Sequence, residues 1–208
     1  MKTLIIGSNG IFRSCLSKTF PYAVKLTQKD LNITKRTIVV ETIRQIRPDL
    51  VINTIAYTDI DSCENNQEMA FLVNGYGPGY IAEACTKIGA KLVHFSTDYA
   101  SDTLTRKCTK SESQNQGIYR HSRLLGEKNI VENMKDYRII RMSDFFEKEM
   151  EDFANIGKND YTPNWTEKIR EIIRFKPGVY KITNKDIYYS QRFASDINNK
   201  VLETSEIY

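Results

Sequence analysis

Tyr119 and Arg123 stand four residues apart in a stretch of helical periodicity, Ile118 to Met134, so a phenol and a permanent cation share one helix face, one turn apart. A phenol so placed is an acid. A unit positive charge about 4 Å away stabilises the phenolate by on the order of 4 kcal/mol at an effective dielectric near 20, which suits proton transfer near neutral pH. Upstream, Ser96-Thr97-Asp98-Tyr99 follows a buried apolar run, Leu92 to Phe95, and puts hydroxyls at the end of an expected strand. Each residue also has a plainer reading: Thr97 as a strand-end cap, Tyr119 as a helix tyrosine packing by its ring.

A second candidate site lies at the start of the chain. Gly7-Ser8-Asn9-Gly10-Ile11-Phe12-Arg13 falls between an expected strand and an expected helix. Glycines there let the backbone turn tightly and approach a pyrophosphate, which then meets the free amides of the helix N-terminus. The third glycine of the usual pattern is replaced by Arg13. After the second strand comes Thr27-Gln28-Lys29-Asp30-Leu31, with no carboxylate at the immediate strand end to bind an adenosine ribose. Lys29 suits a ribose phosphate, which favours NADP over NAD, although a solvated loop lysine would look the same.

The elements that must hold these residues alternate along the chain. Thr3 to Ile6, Ala23 to Leu26, Leu50 to Asn53, Leu92 to Phe95 and Tyr137 to Ile140 read as strands. Between them, Ile11, Phe12, Cys15, Leu16 and Phe20 form one helical face. A second helix starts near Thr34, turns Ile38, Val39, Ile43 and Ile46 inward, and stops before Pro48. Met69 to Ile88 reads as one long helix closed by Gly89. Such alternation predicts a Rossmann-like, doubly wound α/β fold with five parallel strands and ligands at their carboxyl ends.

Composition narrows the classes. In 208 residues, 30 basic and 26 acidic side chains are interspersed for a net charge of +4, too mild a surface to argue for nucleic acid. Cys15, Cys63, Cys85 and Cys108 lie far apart with only two histidines in the chain, so neither a metal site nor a disulfide framework is expected. The apolar run at the start stops at Gly7, too short for a signal peptide or membrane span, and a cytoplasmic location is expected.

The order of short motifs is more specific than any glycine pattern. Asp30-Leu31-Asn32-Ile33-Thr34, Arg47-Pro48-Asp49-Leu50-Val51-Ile52-Asn53, Ala56-Tyr57-Thr58, Asp61, Glu64, Ala70-Phe71 and Val73-Asn74 resemble the dTDP-4-dehydrorhamnose reductase family of extended short-chain dehydrogenases/reductases. So do Gly89-Ala90-Lys91-Leu92-Val93-His94, the Ser-Thr-Asp-Tyr run, Leu124 and Gly126-Glu127-Lys128. The resemblance covers Met1 to Arg141. It implies a dinucleotide-binding domain over 1–141 and a small, truncated substrate lobe over 142–208.

The same resemblance implies NADPH-dependent reduction of a nucleotide-linked 4-keto-6-deoxy sugar, as in rhamnose biosynthesis. Thr97 takes the position that hydrogen-bonds the sugar carbonyl, Tyr119 that of the proton donor, and Arg123 that of the family's lysine. Gly7, Asn9, Gly10, Ile11 and Arg13 would hold the phosphates; Lys29, Asp30 and Leu31 the adenosine end; and Thr54, Ile55, Ala56 and Tyr57, with Tyr119 and Arg123, the nicotinamide half. A nucleotide-sugar substrate is implied, with no nucleic acid or membrane partner. A second copy of the chain, or another sugar-nucleotide enzyme, is the implied associate.

Departures fall on the substrate side. Ala100-Ser101 replaces Val-Phe, Asp144 replaces Trp, Tyr161-Thr162-Pro163-Asn164 replaces Gly-x-Pro-Thr, and the stretch from Phe146 to Asp160 is short. Gly178-Val179-Tyr180 returns to the family's late pattern. Arg123 keeps the lysine's charge, but a planar guanidinium cannot set one compact ammonium against both phenol and ribose. Two function classes follow: a divergent reductase, favoured because Thr97 and Tyr119 both persist, or a silent NADP-binding regulatory subunit like the beta subunit of methionine adenosyltransferase. A sugar-nucleotide epimerase shares the fold and the tyrosine.

Overall fold

Strands made of unbroken apolar runs must be covered on both faces, and here helices supply the cover. The computed structural model describes residues 1–9, 12–97, 117–142, 163–182 and 187–189. Along the chain run β1 (Thr3–Ile6), α1 (Arg13–Thr19), β2 (Val24–Leu26), α2 (Arg36–Ile46), β3 (Leu50–Asn53), α3 (Ile60–Asn65) and α4 (Gln67–Ala70). A π-helical turn (Phe71–Tyr76) leads into α5 (Gly77–Ile88), followed by β4 (Lys91–Thr97), α6 (Gly117–Asn133), β5 (Tyr137–Met142), α7 (Pro163–Arg174), β6 (Gly178–Ile182) and β7 (Ile187–Tyr189).

One sheet contains all seven strands in the order β2-β1-β3-β4-β5-β6-β7. The first six are parallel, and β7 runs antiparallel to β6. The doubly wound order is the one expected, and the five expected strands are all present. The sheet is larger than expected because Gly178–Ile182 pairs with β5, Ile139 against Val179 and Ile140 against Tyr180. Residues 178–182, assigned from sequence to a lobe beyond 141, therefore extend the same sheet. Their apolar side chains explain it: Val179, Tyr180 and Ile182 are buried, as are Ile169, Ile172 and Ile173 of α7.

Alternation along the strands sends successive residues to opposite faces. Ile5, Ile52, Val93, Phe95, Ile140 and Met142 pack with α1 and α7. Leu4, Ile6, Val51, Leu92 and Ile139 pack with Val39 and Ile43 of α2, Ile81 and Cys85 of α5, and Ile130 of α6. Each such fully buried aliphatic side chain contributes about 1.5–3 kcal/mol relative to exposure. In α2, Val39 and Ile43 point inward as expected, whereas Ile38 is 49% exposed. Ile38 lies 100° from Val39 around the helix, on the rim of the covered stripe. Arg47, in the left-handed region at φ 49°, ends α2 before Pro48.

The long helix expected from Met69 to Ile88 is continuous, but it widens ahead of its own proline. Pro78 has no N–H to give the carbonyl four residues back, that of Asn74, and its ring would crowd that carbonyl. The helix takes up the strain as a π turn over Phe71–Tyr76 and tightens again as α5, with Pro78 in the turn that follows. Gly89 closes α5 at φ 71°, as expected.

Candidate active site

The loop after β1 is shaped by Gly7. At φ 91° it adopts a backbone that L side chains rarely take, and a Cβ there would lie 2.6 Å from Thr54 Oγ1 and 2.9 Å from Ile55. Thr54 explains the closeness: its hydroxyl donates to the carbonyls of Ile6 (3.1 Å) and Gly7 (2.9 Å), and its N–H to Ile6 (2.9 Å). Gly7 and Ser8 both donate their N–H to Leu26. The loop is thus stitched to β2 and β3 with its outer side open, and Asn9 is exposed there. Gly10 and Ile11 lie outside the described residues, as does the side chain of Arg13.

Beside it, at the carboxyl ends of β2 and β3, is a pocket of about 320 Å³ lined by Gln28, Leu31, Asn32, Ile55, Ala56 and Tyr57, among others. Leu31, Ile55, Ala56 and Tyr57 thus line one pocket. Gln28, and not Lys29, lines the pocket; Lys29 is exposed. The Asp30 carboxylate turns back on its own loop, accepting from the N–H (2.8 Å) and hydroxyl (2.7 Å) of Thr27. Those bonds, the hydroxyl's first, hold its pKa below the usual carboxylate value.

Thr97 is the last residue of β4 and buried, and Tyr119 is buried in the first turn of α6. The tyrosine ring packs with Cys63 and Ala70, alongside Tyr57, Ile60 and Ile118. Its turn is fixed from two sides. Glu64 accepts the N–H of Ile118 (2.8 Å), one of the donors a helix start leaves unpaired. Asn74 holds Tyr57 by both backbone groups, accepting its N–H (2.8 Å) and donating to its carbonyl (2.9 Å), and also donates to Ser122 (3.1 Å). The π turn is what brings Asn74 to this position.

Arg123 is buried one turn after Tyr119. Its Nη2 donates to the Phe95 carbonyl of β4 (2.7 Å), while Nε and Nη1, equally buried, have no hydrogen-bond partner among the described residues. Close by, Asn53 accepts the N–H of Ile55 (3.1 Å), so its amide N–H faces His94 Nδ1 (3.0 Å) and leaves that imidazole neutral with its proton on Nε2. Burial, reinforced by the Arg123 charge, holds His94 well below its ordinary pKa. Burial likewise pushes the Cys63 thiol up to about 11, with Asp59 and Glu64 adding to it. Among the described residues no group of His, Cys, Asp and Glu is arranged to hold a metal.

Two features make these residues suit a dinucleotide: a glycine turn after β1 packed too tightly on Thr54 and Ile55 for a Cβ, and a buried guanidinium with donors unpaired among the described residues. Sequence reasoning named Gly7, Thr54 to Tyr57, Thr97, Tyr119 and Arg123, but took Asn74, His94 and Glu127 only as parts of motifs and not as the residues that hold them. These are polar residues inside apolar or helical runs, and that mismatch was their visible signal. The substrate-side departures at Ala100, Ser101, Asp144, Tyr161 and Thr162 lie outside the described residues, with Asp98, Tyr99 and Cys108; Pro163 and Asn164 begin α7.

Six parallel strands, a glycine turn after the first and a buried tyrosine at the carboxyl edge define a Rossmann-like protein of the extended short-chain dehydrogenase/reductase kind. The chain belongs to the RmlD substrate binding domain family, whose model matches residues 1–159. It is 30% identical over 220 residues to the spore coat polysaccharide biosynthesis protein SpsK of Bacillus subtilis, covering 94% of this chain and 78% of that one. To the dTDP-4-dehydrorhamnose reductase of Mycobacterium tuberculosis it is 38% identical over 99 residues, covering 45% of this chain and a smaller share, 33%, of the enzyme. A dTDP-4-dehydrorhamnose reductase structure from Clostridium acetobutylicum superposes with a TM-score of 0.71 at 26% identity, covering 95% and 79% of the two chains. One from Bacillus anthracis, in complex with NADP, gives 0.70 at 24%, with 94% and 80% covered, and supports the fold.

Proposed function

We propose that this chain is an NADPH-dependent reductase of a nucleotide-linked 4-keto-6-deoxy sugar. The observation that carries the reading is the α6 face on which Tyr119 and Arg123 are both buried, with the guanidinium's Nε and Nη1 unpaired among the described residues. The bound nicotinamide supplies hydride to the sugar carbonyl carbon. Tyr119 gives its phenolic proton to the carbonyl oxygen, and Thr97 donates a hydrogen bond to the same oxygen. Arg123 stabilises the phenolate left behind and offers its spare N–H groups to the cofactor's oxygens. Gly7 lets the loop turn tightly against Thr54 and Ile55, where any side chain would collide. Asp30, engaged by Thr27, is poorly placed to accept from a ribose hydroxyl, which supports the phosphorylated cofactor.

One observation favours a second reading. The Phe95 carbonyl pins Nη2 of Arg123 toward β4, so the cation is less free than a lysine to serve phenol and ribose together. A silent, NADP-binding regulatory subunit would tolerate this.

The test is NADPH oxidation with a 4-keto-6-deoxy sugar nucleotide generated in place. Wild type should turn over slowly, Tyr119→Phe should lower the rate by about 100-fold or more, as loss of a general acid does, and Arg123→Lys should raise it. Wild type and Arg123→Lys that bind NADPH but are equally inert would move the assignment to the binding subunit. Calorimetric titration showing NADH bound as tightly as NADPH would remove the cofactor preference.

A further inference from the structure

Six residues of α6 are buried: Tyr119, Ser122, Arg123, Gly126, Glu127 and Ile130. Only the last is aliphatic. An aliphatic stripe lets a helix shift on a sheet with little loss, because its contacts are non-directional. Glu127 does the opposite. Fully buried, one turn past Arg123 and two past Tyr119, it accepts from the Ser96 hydroxyl, from Arg141 Nε (3.1 and 3.2 Å) and from Arg141 Nη2 (2.7 Å). Ser96 and Arg141 are register partners on β4 and β5, and Ser96 precedes Thr97.

As a source of stability this buried pair is a weak choice, since desolvation offsets most of the attraction and apolar residues of equal volume serve as well. What a directed pair supplies is a fixed register. We propose that Glu127 is a positioning residue: its grip on Ser96 and Arg141 sets where α6 lies along β4 and β5, and so where Tyr119 stands relative to Thr97. Glu64 and Asn74 tie α6 to the segment after β3; Glu127 ties it to the strands. The consequence for turnover rests on the reading of Tyr119 as proton donor.

The test separates register from stability. Glu127→Gln alone strands the Arg141 charge and should melt below wild type. Exchanging both, Glu127→Met with Arg141→Met, restores an uncharged interior and should bring the melting temperature back to near the wild-type value. If Glu127 only stabilises, the double variant regains kcat along with its stability, and the proposal is overturned. If it positions, kcat stays down by on the order of tenfold or more, since small misplacements are costly, while KM and NADPH affinity change by less than about threefold. A second measurement needs no ligand. Cys63 packs against Tyr119, and its labelling by a thiol reagent, resolved from Cys15, Cys85 and Cys108 by mass spectrometry, should quicken by about tenfold in the double variant. An unchanged Cys63 rate also overturns the proposal. Wild type that binds no dinucleotide ends the functional reading instead, and the labelling comparison still decides on Glu127.

Discussion

The same strands build two unlike faces. Toward α1 and α7 the sheet presents Ile5, Ile52, Val93, Phe95, Ile140 and Met142, packed with Cys15, Leu16, Ile169, Ile172 and Ile173. One residue out of step, toward α6, the carboxyl half presents Asn53, His94, Ser96 and Arg141 to Tyr119, Arg123 and Glu127. The first face holds the fold by area, which tolerates small shifts. The second holds a geometry by directed bonds, which does not, and the tyrosine sits on that side. Dividing stability from precision across one sheet means the two can be damaged separately.

The largest loss of stability should come from the apolar face. Ile140→Ala empties a fully buried site between α1 and α7 and should cost about 2–5 kcal/mol in denaturant unfolding, with the folded fraction still binding dinucleotide as before. Equal damage to cofactor affinity would mean that the faces are not independent.

On the polar side, Gly126→Ala should cost less stability and more function. A Cβ there would lie 2.0 Å from the Asn74 carbonyl, the one freed by Pro78, so α6 must lift or the π turn must move. We expect about 1–3 kcal/mol by denaturation, with weakened dinucleotide binding because Asn74 also clamps Tyr57. Unchanged affinity would show the clamp to be looser than its bonds suggest.

The smallest effect sharpens the contrast through pH. Unfolded, His94 takes up a proton below about 6.5; folded, burial withholds it, so the unfolded state binds more protons and stability falls as pH falls through that value. The slope due to this group is about 1.4 kcal/mol per pH unit below 6.5, down to the folded pKa. Protonating Nδ1 would also set it against the Asn53 amide, which cannot turn over without losing Ile55. Comparing stability–pH curves of wild type and His94→Gln checks this: the variant should be flatter between about pH 6.5 and 5.

Periodicity made much of this legible before any coordinates. Leu50 to Asn53 is a strand to the residue, since four apolar-to-buried positions flanked by Pro48 and a loop leave no other reading. Thr97, Tyr119 and Arg123 were singled out by their types and by the family resemblance, and the structure buries all three. Pro78 was the overlooked sign within the long helix: hydrophobic spacing runs smoothly through it, but the backbone widens ahead of it. The later strands were hidden for another reason. Gly178–Ile182 is short and follows a stretch unlike the family, and only its pairing with β5 shows that it belongs to the sheet. Glu127 was read as part of a motif and not as a contact, because a buried carboxylate is recognised by its partner, and Arg141 lies fourteen residues away on another strand.

Among the described residues, the two edges of the sheet are its shortest strands. β2 and β7 have three described residues each, against seven in β4 at the centre. A row of unpaired amides that short gives an incoming strand little to bind, which guards against edge-to-edge aggregation. Association between copies is thereby steered away from sheet extension and toward the helical flanks, where side chains and not backbone would choose the partner.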